Sequence, residues 1–462
     1  MTHYLALLLC CLFCIFVYWI DSKRDSEVSP AVWLPVLWMS LCASRSLNYW
    51  FYSGPAYDIV SEGNVYDRVY LSVLTIAGLL VLLQRRSISF AEIFSRNIWL
   101  FVFYLYMALS TLWADSTDIS FKRWIKTFGD LTMVLVVLTE SNPLKAISKL
   151  YRRCFILLIP LSIVLIRYFP NLGKLQSKGW QPDMWIGVAT HKNTLGQLLL
   201  LSWLYFLWDL IKNSSEGNVK IKFFYLIMIA YLINGNGTSR STTCLVLMLI
   251  AFMIYFYLER YKEKPSFLWK PVIYVTLVPL IIFVLDDIVF NKTLFQTIVV
   301  SEGKDVTLTG RTHLWDTLIP LGMRHPILGA GFGDFWNVTT RAYLKEIFSW
   351  GPGQAHNGYI EIFLNLGMIG LVFFAVVVFS AFRGALKQSL IDFEYGKIRL
   401  IFLIVTLIHN YTESGFTRPC HLMWFTFLLF AVNINHVSSF HTVQSHEIVE
   451  QAQAPYSSVS QR

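Results

Sequence analysis

The sequence predicts an all-α polytopic membrane protein, and three observations carry that prediction. Of its 462 residues 55% are hydrophobic and only 15% charged, a balance that suits lipid better than water. Apolar runs of roughly 15–22 residues recur along the chain, close to the ~20 that cross ~30 Å of hydrocarbon as a helix. None of them alternates with period two as a barrel strand would, and open sheet edges do not survive in lipid.

Taken in order, the runs give candidate spans near 4–20, 31–44, 68–84, 97–114, 128–140, 154–169, 194–211, 223–234, 243–258, 271–285, 358–382, 398–411 and 422–435. That makes about 12–13 transmembrane helices. The runs at 31–44, 128–140, 223–234 and 422–435 are short, as tilted or re-entrant segments are. The first run lacks a basic start and a small-residue cleavage site, so it reads as a retained helix rather than a signal peptide. Residues 1–435 form a single membrane domain that includes a large loop over 286–357, and the Ser-, Gln- and His-rich tail 436–462 reads as disordered.

A net charge of +9 raises the question of nucleic acid, but the basic residues form neither a stripe nor an arm, so no nucleic-acid partner is expected. Their distribution between loops is informative instead. One alternate set of loops, near 21–30, 85–98, 141–153, 212–222, 259–270 and 383–399, holds 20 Lys and Arg in about 80 positions. The other set, near 45–68, 115–127, 167–193, 235–242, 286–357 and 412–421, holds 17 in about 155. Cytoplasmic loops are the basic ones, so the first set is cytoplasmic and the loop over 286–357 lies outside, which in a bacterium is the periplasm. The seven cysteines show no zinc or disulfide spacing, and no metal or cofactor is expected. Asp286-Asp287 reads as a charged helix boundary rather than a metal pair. The Gly329-Ala-Gly331-Phe-Gly333 run reads as a turn, because it lacks the Lys-Ser/Thr of a phosphate loop.

Every chemically suggestive segment falls in the outer set of loops: Gly187 to Asn193 with His191 and Lys192, Thr238 to Ser241 around Arg240, Thr309 to His313 around Arg311, and Gln354 to Gly358 around His356 and Asn357. A lone Arg or His at a helix end is usually an interfacial anchor or cap. Four such segments on one face weigh against that reading, since ionisable groups at the lips of membrane helices cost free energy unless they pair or line a wet cavity. Glu361 lies close to i+4 from His356 and reads either as its orienting carboxylate or as an exposed acid stabilised by the helix dipole. Arg123 and Lys126 read as a solvated basic patch in preference to a lipid-phosphate site.

These segments resemble the O-antigen ligase and polysaccharide polymerase superfamily of bacterial membrane glycosyltransferases. The resemblance rests on His191-Lys192-Asn193-x-Leu195-Gly196, Ser239-Arg240-Ser241, Gly310-Arg311 and His356-Asn357, with Trp315, Pro326 and Gly329-Ala-Gly331 between them. Val32-Trp33-Leu-Pro, Ser44-Arg45 and Tyr66-Asp67-Arg68 look like members near exopolysaccharide polymerases. The resemblance implies transfer of a glycan from a polyprenyl-diphosphate carrier to a glycan, lipid or protein acceptor at the periplasmic face of the inner membrane. In its terms Arg240 and Arg311 match the essential arginines and His356 the candidate base; Asn357 is assigned to substrate binding, and His191, Lys192 and Asn193 to positioning or diphosphate binding, with a structural helix start as the competing reading. The competing class is a polysaccharide or lipid-linked oligosaccharide flippase, which would place its charges at mid-span in two paired halves.

Overall fold

Helices stand at twelve of the thirteen predicted spans in the computed structural model, which describes residues 2–22, 27–51, 65–86, 88–175, 183–212, 219–236, 241–271, 273 and 311–434. Arg240, Gly310, Asp286-Asp287, the tail and nearly all of the span at 271–285 lie outside the described residues. The helices are α1 (Thr2–Ser22), α2 (Trp33–Cys42), α3 (Leu47–Phe51), α4 (Val65–Gln84), α5 (Phe90–Arg96), α6 (Ile98–Ser110), α7 (Thr117–Leu138), α8 (Pro143–Tyr168) and α9 (Pro170–Gly173). They continue as α10 (Lys192–Lys212), α11 (Val219–Asn234), α12 (Thr242–Arg260), α13 (Arg311–Gly322), α14 (Val338–Ile347), α15 (Gly358–Ile391), α16 (Phe393–Thr412) and α17 (Leu422–Ala431). A two-residue antiparallel pair joins Lys174–Leu175 to Met184–Trp185. Five helices among the described residues are long and apolar enough to cross a membrane, or six if α5 and Ile98–Trp113, bent by 86°, count as one span.

The other helices depart from the apolar-run reading for physical reasons. α7 and α8 begin well before the runs at 128–140 and 154–169, because the turns ahead of those runs carry charges that pair within the protein. Arg153, for example, sits 3.4 Å from the Asp21 carboxylate at the end of α1. Asp209 with Lys222 (3.0 Å) and Lys397 with Glu259 (2.7 Å) and Glu394 (2.8 Å) tie further helix ends together. All of these pairs lie in, or within a turn of, the loops that the charge count assigns to the cytoplasm.

Above the other ends of the helices, α13, α14 and the start of α15 enclose a separate small core of Leu314, Leu318, Phe335, Trp336, Leu344, Phe348, Ala355 and Leu364. What joins this cap to the bundle is a break in α15. Gly367 takes φ 64° and ψ −164°, so the helix stops and restarts. The backbone groups freed there are paired by the segment after α13: Ala330 N donates to Leu364 O at 3.0 Å, Gly331 N to Asn365 O at 2.9 Å, and Met368 N to Pro326 O at 2.9 Å. The stretch from Met368 to Ile391 is then long enough, at 1.5 Å per residue, to cross about 30 Å of hydrocarbon by itself. A Cβ on Gly367 would strike the Ile327 carbonyl, and its φ is one that L side chains rarely adopt. Gly367→Ala is therefore expected to destabilise the protein by at least about 2 kcal/mol, seen as a lower unfolding midpoint of the detergent-solubilised chain.

Candidate functional site

The predicted outer segments converge on a residue that none of the motifs contains. Glu413 follows the last residue of α16, and its carboxylate gathers three of them. Arg311, the first residue of α13, donates from Nη2 to Glu413 Oε1 at 2.7 Å and from Nη1 to the Thr412 carbonyl. Asn193, in the first turn of α10, donates from Nδ2 to the same Oε1 at 2.5 Å. His356 Nδ1 lies 3.3 Å from Glu413 Oε2. His191 is near enough to feel the charges of Glu413, His356 and Arg311.

Each member is held by its local structure. His356 has φ 51°, a left-handed conformation that costs about 1 kcal/mol for a residue with a Cβ and needs support from its surroundings. That support is visible on both sides. Ala355 donates its N–H to Glu361 Oε2 at 3.0 Å and accepts at its carbonyl from Trp315 Nε1 at 2.8 Å. Trp315 lies one turn after Arg311, so α13 both presents the guanidinium and buttresses the histidine. On the other side Asn357 caps α15, accepting from Tyr359 N (2.9 Å) and Ile360 N (3.1 Å), while its own N–H donates to Ser414 Oγ at 3.0 Å. The Asn357 side chain is thus buried and committed to shaping the turn. Gln354 completes the loop: its amide nitrogen lies 3.3 Å from His356 Nδ1, and its oxygen accepts from Arg418 Nη1 at 2.7 Å.

Two expectations are corrected. The carboxylate beside His356 is Glu413, and both oxygens of Glu361 are bonded elsewhere, Oε1 accepting from Trp336 Nε1 at 2.6 Å. Arg123 is buried and donates to the Gly333 carbonyl, so it stitches the cap to α7 instead of forming a solvated patch. Lys192 opens α10. Ser241, which follows Arg240 in sequence, lies against Gly196, one turn below Asn193; a Cβ on that glycine would come within 2.8 Å of the serine Cβ.

Arg45 is a second residue whose part was not read from the sequence. Fully buried after α2, it donates from Nε to Val188 O (2.9 Å) and from Nη2 to the carbonyls of Leu172 (2.9 Å), Gly187 (2.5 Å) and Ala189 (2.7 Å). It thereby fixes the turn that delivers His191 and Asn193 to the site.

Burial would push the Glu413 carboxyl up, but the hydrogen bond with His356 and the charge of Arg311 outweigh it and lower it to about 2. The centre is therefore an ionised carboxylate that orients an imidazole and a guanidinium. His356 turns Nδ1 to the carboxylate, and its Nε2 has no hydrogen-bond partner among the described residues. Arg311 spends two of its five N–H groups on Thr412 and Glu413, and the other three have no partner among the described residues.

A multi-pass membrane protein with a histidine-arginine centre at one end of its helices is the class that fold and site define. Residues 198–375 match the family model described as O-antigen ligase. The chain is also similar to the exopolysaccharide production protein ExoQ of Rhizobium meliloti (strain 1021), 24% identical over 378 residues that cover 77% of this chain and 82% of the relative. Both matches point the same way as the resemblance carried by the sequence motifs. The family match takes in Arg240, Arg311 and His356, while Glu413 and the His191 to Asn193 segment lie outside it.

Proposed function

We propose that this protein transfers a glycan from a polyprenyl-diphosphate carrier to a sugar hydroxyl at the periplasmic face of the inner membrane, without a metal. The observation that carries the reading is the Glu413-centred cluster, which sets a free imidazole nitrogen beside a guanidinium with N–H groups to spare. In the proposed step the acceptor hydroxyl gives its proton to His356 Nε2 as its oxygen attacks the anomeric carbon. The bond from that carbon to the diphosphate oxygen breaks, and the diphosphate leaves with the electron pair. Charge growing on the leaving phosphate is met by Arg311, whose planar fork matches phosphate oxygens and does not deprotonate. Arg240 is proposed as the second clamp, with His191 and Lys192 on the diphosphate and Asn193 holding the Glu413 carboxylate in place. A single displacement of this kind inverts the anomeric centre. Similarity to an exopolysaccharide production protein favours joining of exopolysaccharide repeat units over delivery of finished chains to lipid or protein.

Arg311→Lys keeps the charge and loses the fork. It is expected to lower transfer by about 10²–10³-fold, the scale seen when one charge-stabilising donor is lost. The measurement is surface polysaccharide together with the carrier-linked glycans of the same cells. Single repeat units left on the carrier mark a polymerase, and long chains left there mark a ligase. Unchanged polysaccharide in well-expressed Arg311→Lys and Arg311→Ala proteins would sink the reading.

A further inference from the structure

The cap holds a second polar recess, of about 350 Å³, at the end of α13 opposite Arg311. Asp115, Arg324, His325, Asn337, Thr340 and Tyr343 line it. Its floor is built: Asn337 Nδ2 donates to Asp115 Oδ2 at 3.0 Å, and Asn337 Oδ1 accepts from Thr340 N at 2.9 Å, which fixes the start of α14 against the turn before α7. The Arg324 guanidinium, the His325 ring and the Tyr343 hydroxyl, all on its lining, find no partner among the described residues. Its volume is within the range of small-ligand sites.

The chemistry of the lining selects a ligand class. A carboxylate that only accepts, a guanidinium that only donates, hydroxyls that do both and one half-exposed tyrosine ring match a run of sugar hydroxyls and the apolar face of a pyranose. An anion site is disfavoured because Asp115 is part of the wall and the buried carboxyl of Asp334, on which its charge acts, lies close by. Position completes the case. The eleven steps from Arg311 to Gly322 carry α13 about 16 Å, so one helix presents the reacting centre at its head and the recess at its foot, several sugar units away.

We propose that this recess is a glycan subsite that holds the oligosaccharide chain at a distance from its reacting end, and that it sets how long a chain the protein keeps engaged. The inference rests on the proposed transfer reaction and adds a place for the body of its substrate. The probe is the oligosaccharide repeat released by mild hydrolysis from the surface polysaccharide of the source strain, titrated onto the detergent-solubilised full chain and followed by saturation-transfer NMR. Arg324→Ala and Tyr343→Ala are expected to weaken binding by about tenfold each, the loss of one good contact, and to shorten the polysaccharide made in cells. Tyr343→Phe, which keeps the ring, is expected to lose less. Unchanged binding and chain length in both alanine variants, alongside a folded but inactive His356→Gly protein, overturns the subsite and leaves the transfer reading intact. An active His356→Gly protein overturns the transfer reading instead. Displacement of the oligosaccharide by inorganic phosphate or by anionic-lipid vesicles, at concentrations where neutral-lipid vesicles do nothing, makes the recess an anion site and overturns the glycan assignment.

Discussion

Glutamine at position 413 is expected to cut glycan transfer by about 10²–10⁴-fold in a protein that still folds, the loss seen when a carboxylate that orients a catalytic histidine is neutralised. The amide keeps the shape of the side chain but turns two acceptor oxygens into one acceptor and one donor. It can then no longer serve His356, Arg311 and Asn193 together. Alanine at the same position goes further, because it leaves the Arg311 guanidinium half-buried without its anion, and removing one partner of such a pair costs about 3–5 kcal/mol. A pH series separates positioning from mere packing. Glu413 is lowered from its ordinary 4.5 to about 2, so its contribution to stability is complete above pH 4.5 and is lost as pH falls through that value towards 2. The wild-type unfolding midpoint is expected to fall over that acid window, and the Glu413→Gln midpoint to lack that component. Wild-type transfer rates from Glu413→Gln protein would remove Glu413 from the mechanism.

What was legible in the sequence follows from what lipid demands. A spanning helix must hide every backbone polar group behind apolar side chains, so α1, α4, α10 and α12 announce themselves. Where charges are neutralised inside the protein, as at Arg153 and Asp21, a run of apolar residues marks only half the helix. The break at Gly367 is hidden because a glycine in an apolar run looks the same whether the helix continues through it or stops. Arg311, His356 and Asn193 were readable as polar groups at helix lips. Glu413 was not, since it stands in a short loop with no motif and acquires its role only where three chain-distant segments meet. The available clue was electrostatic: cationic groups crowding one face need an anion, and Glu413 is the only acid in the loop 412–421. The orienting reading of Glu361 fails because an i+4 relation holds inside a helix, and His356, at φ 51°, sits outside it.

That same backbone angle gives the most decisive test of the proposed base. Any substitution at position 356 removes the imidazole, but alanine also keeps a Cβ in a left-handed conformation without the side-chain contacts that hold it there. Loss of activity in His356→Ala could therefore be blamed on the fold. Glycine accepts φ 51° at no steric cost, which relieves about 1–2 kcal/mol of local strain. That gain partly offsets the lost hydrogen bond to Glu413 and the greater freedom of the unfolded chain. His356→Gly is thus expected to unfold within a few degrees of the wild type and to bind oligosaccharide normally, yet to transfer glycan about 10²–10⁴-fold more slowly. Added imidazole should restore part of the rate, because the space left beside Glu413 is that of the missing ring. A stable glycine variant that still transfers at full rate means the proton goes elsewhere, and His356 then serves only to shape the turn between Gln354 and Asn357.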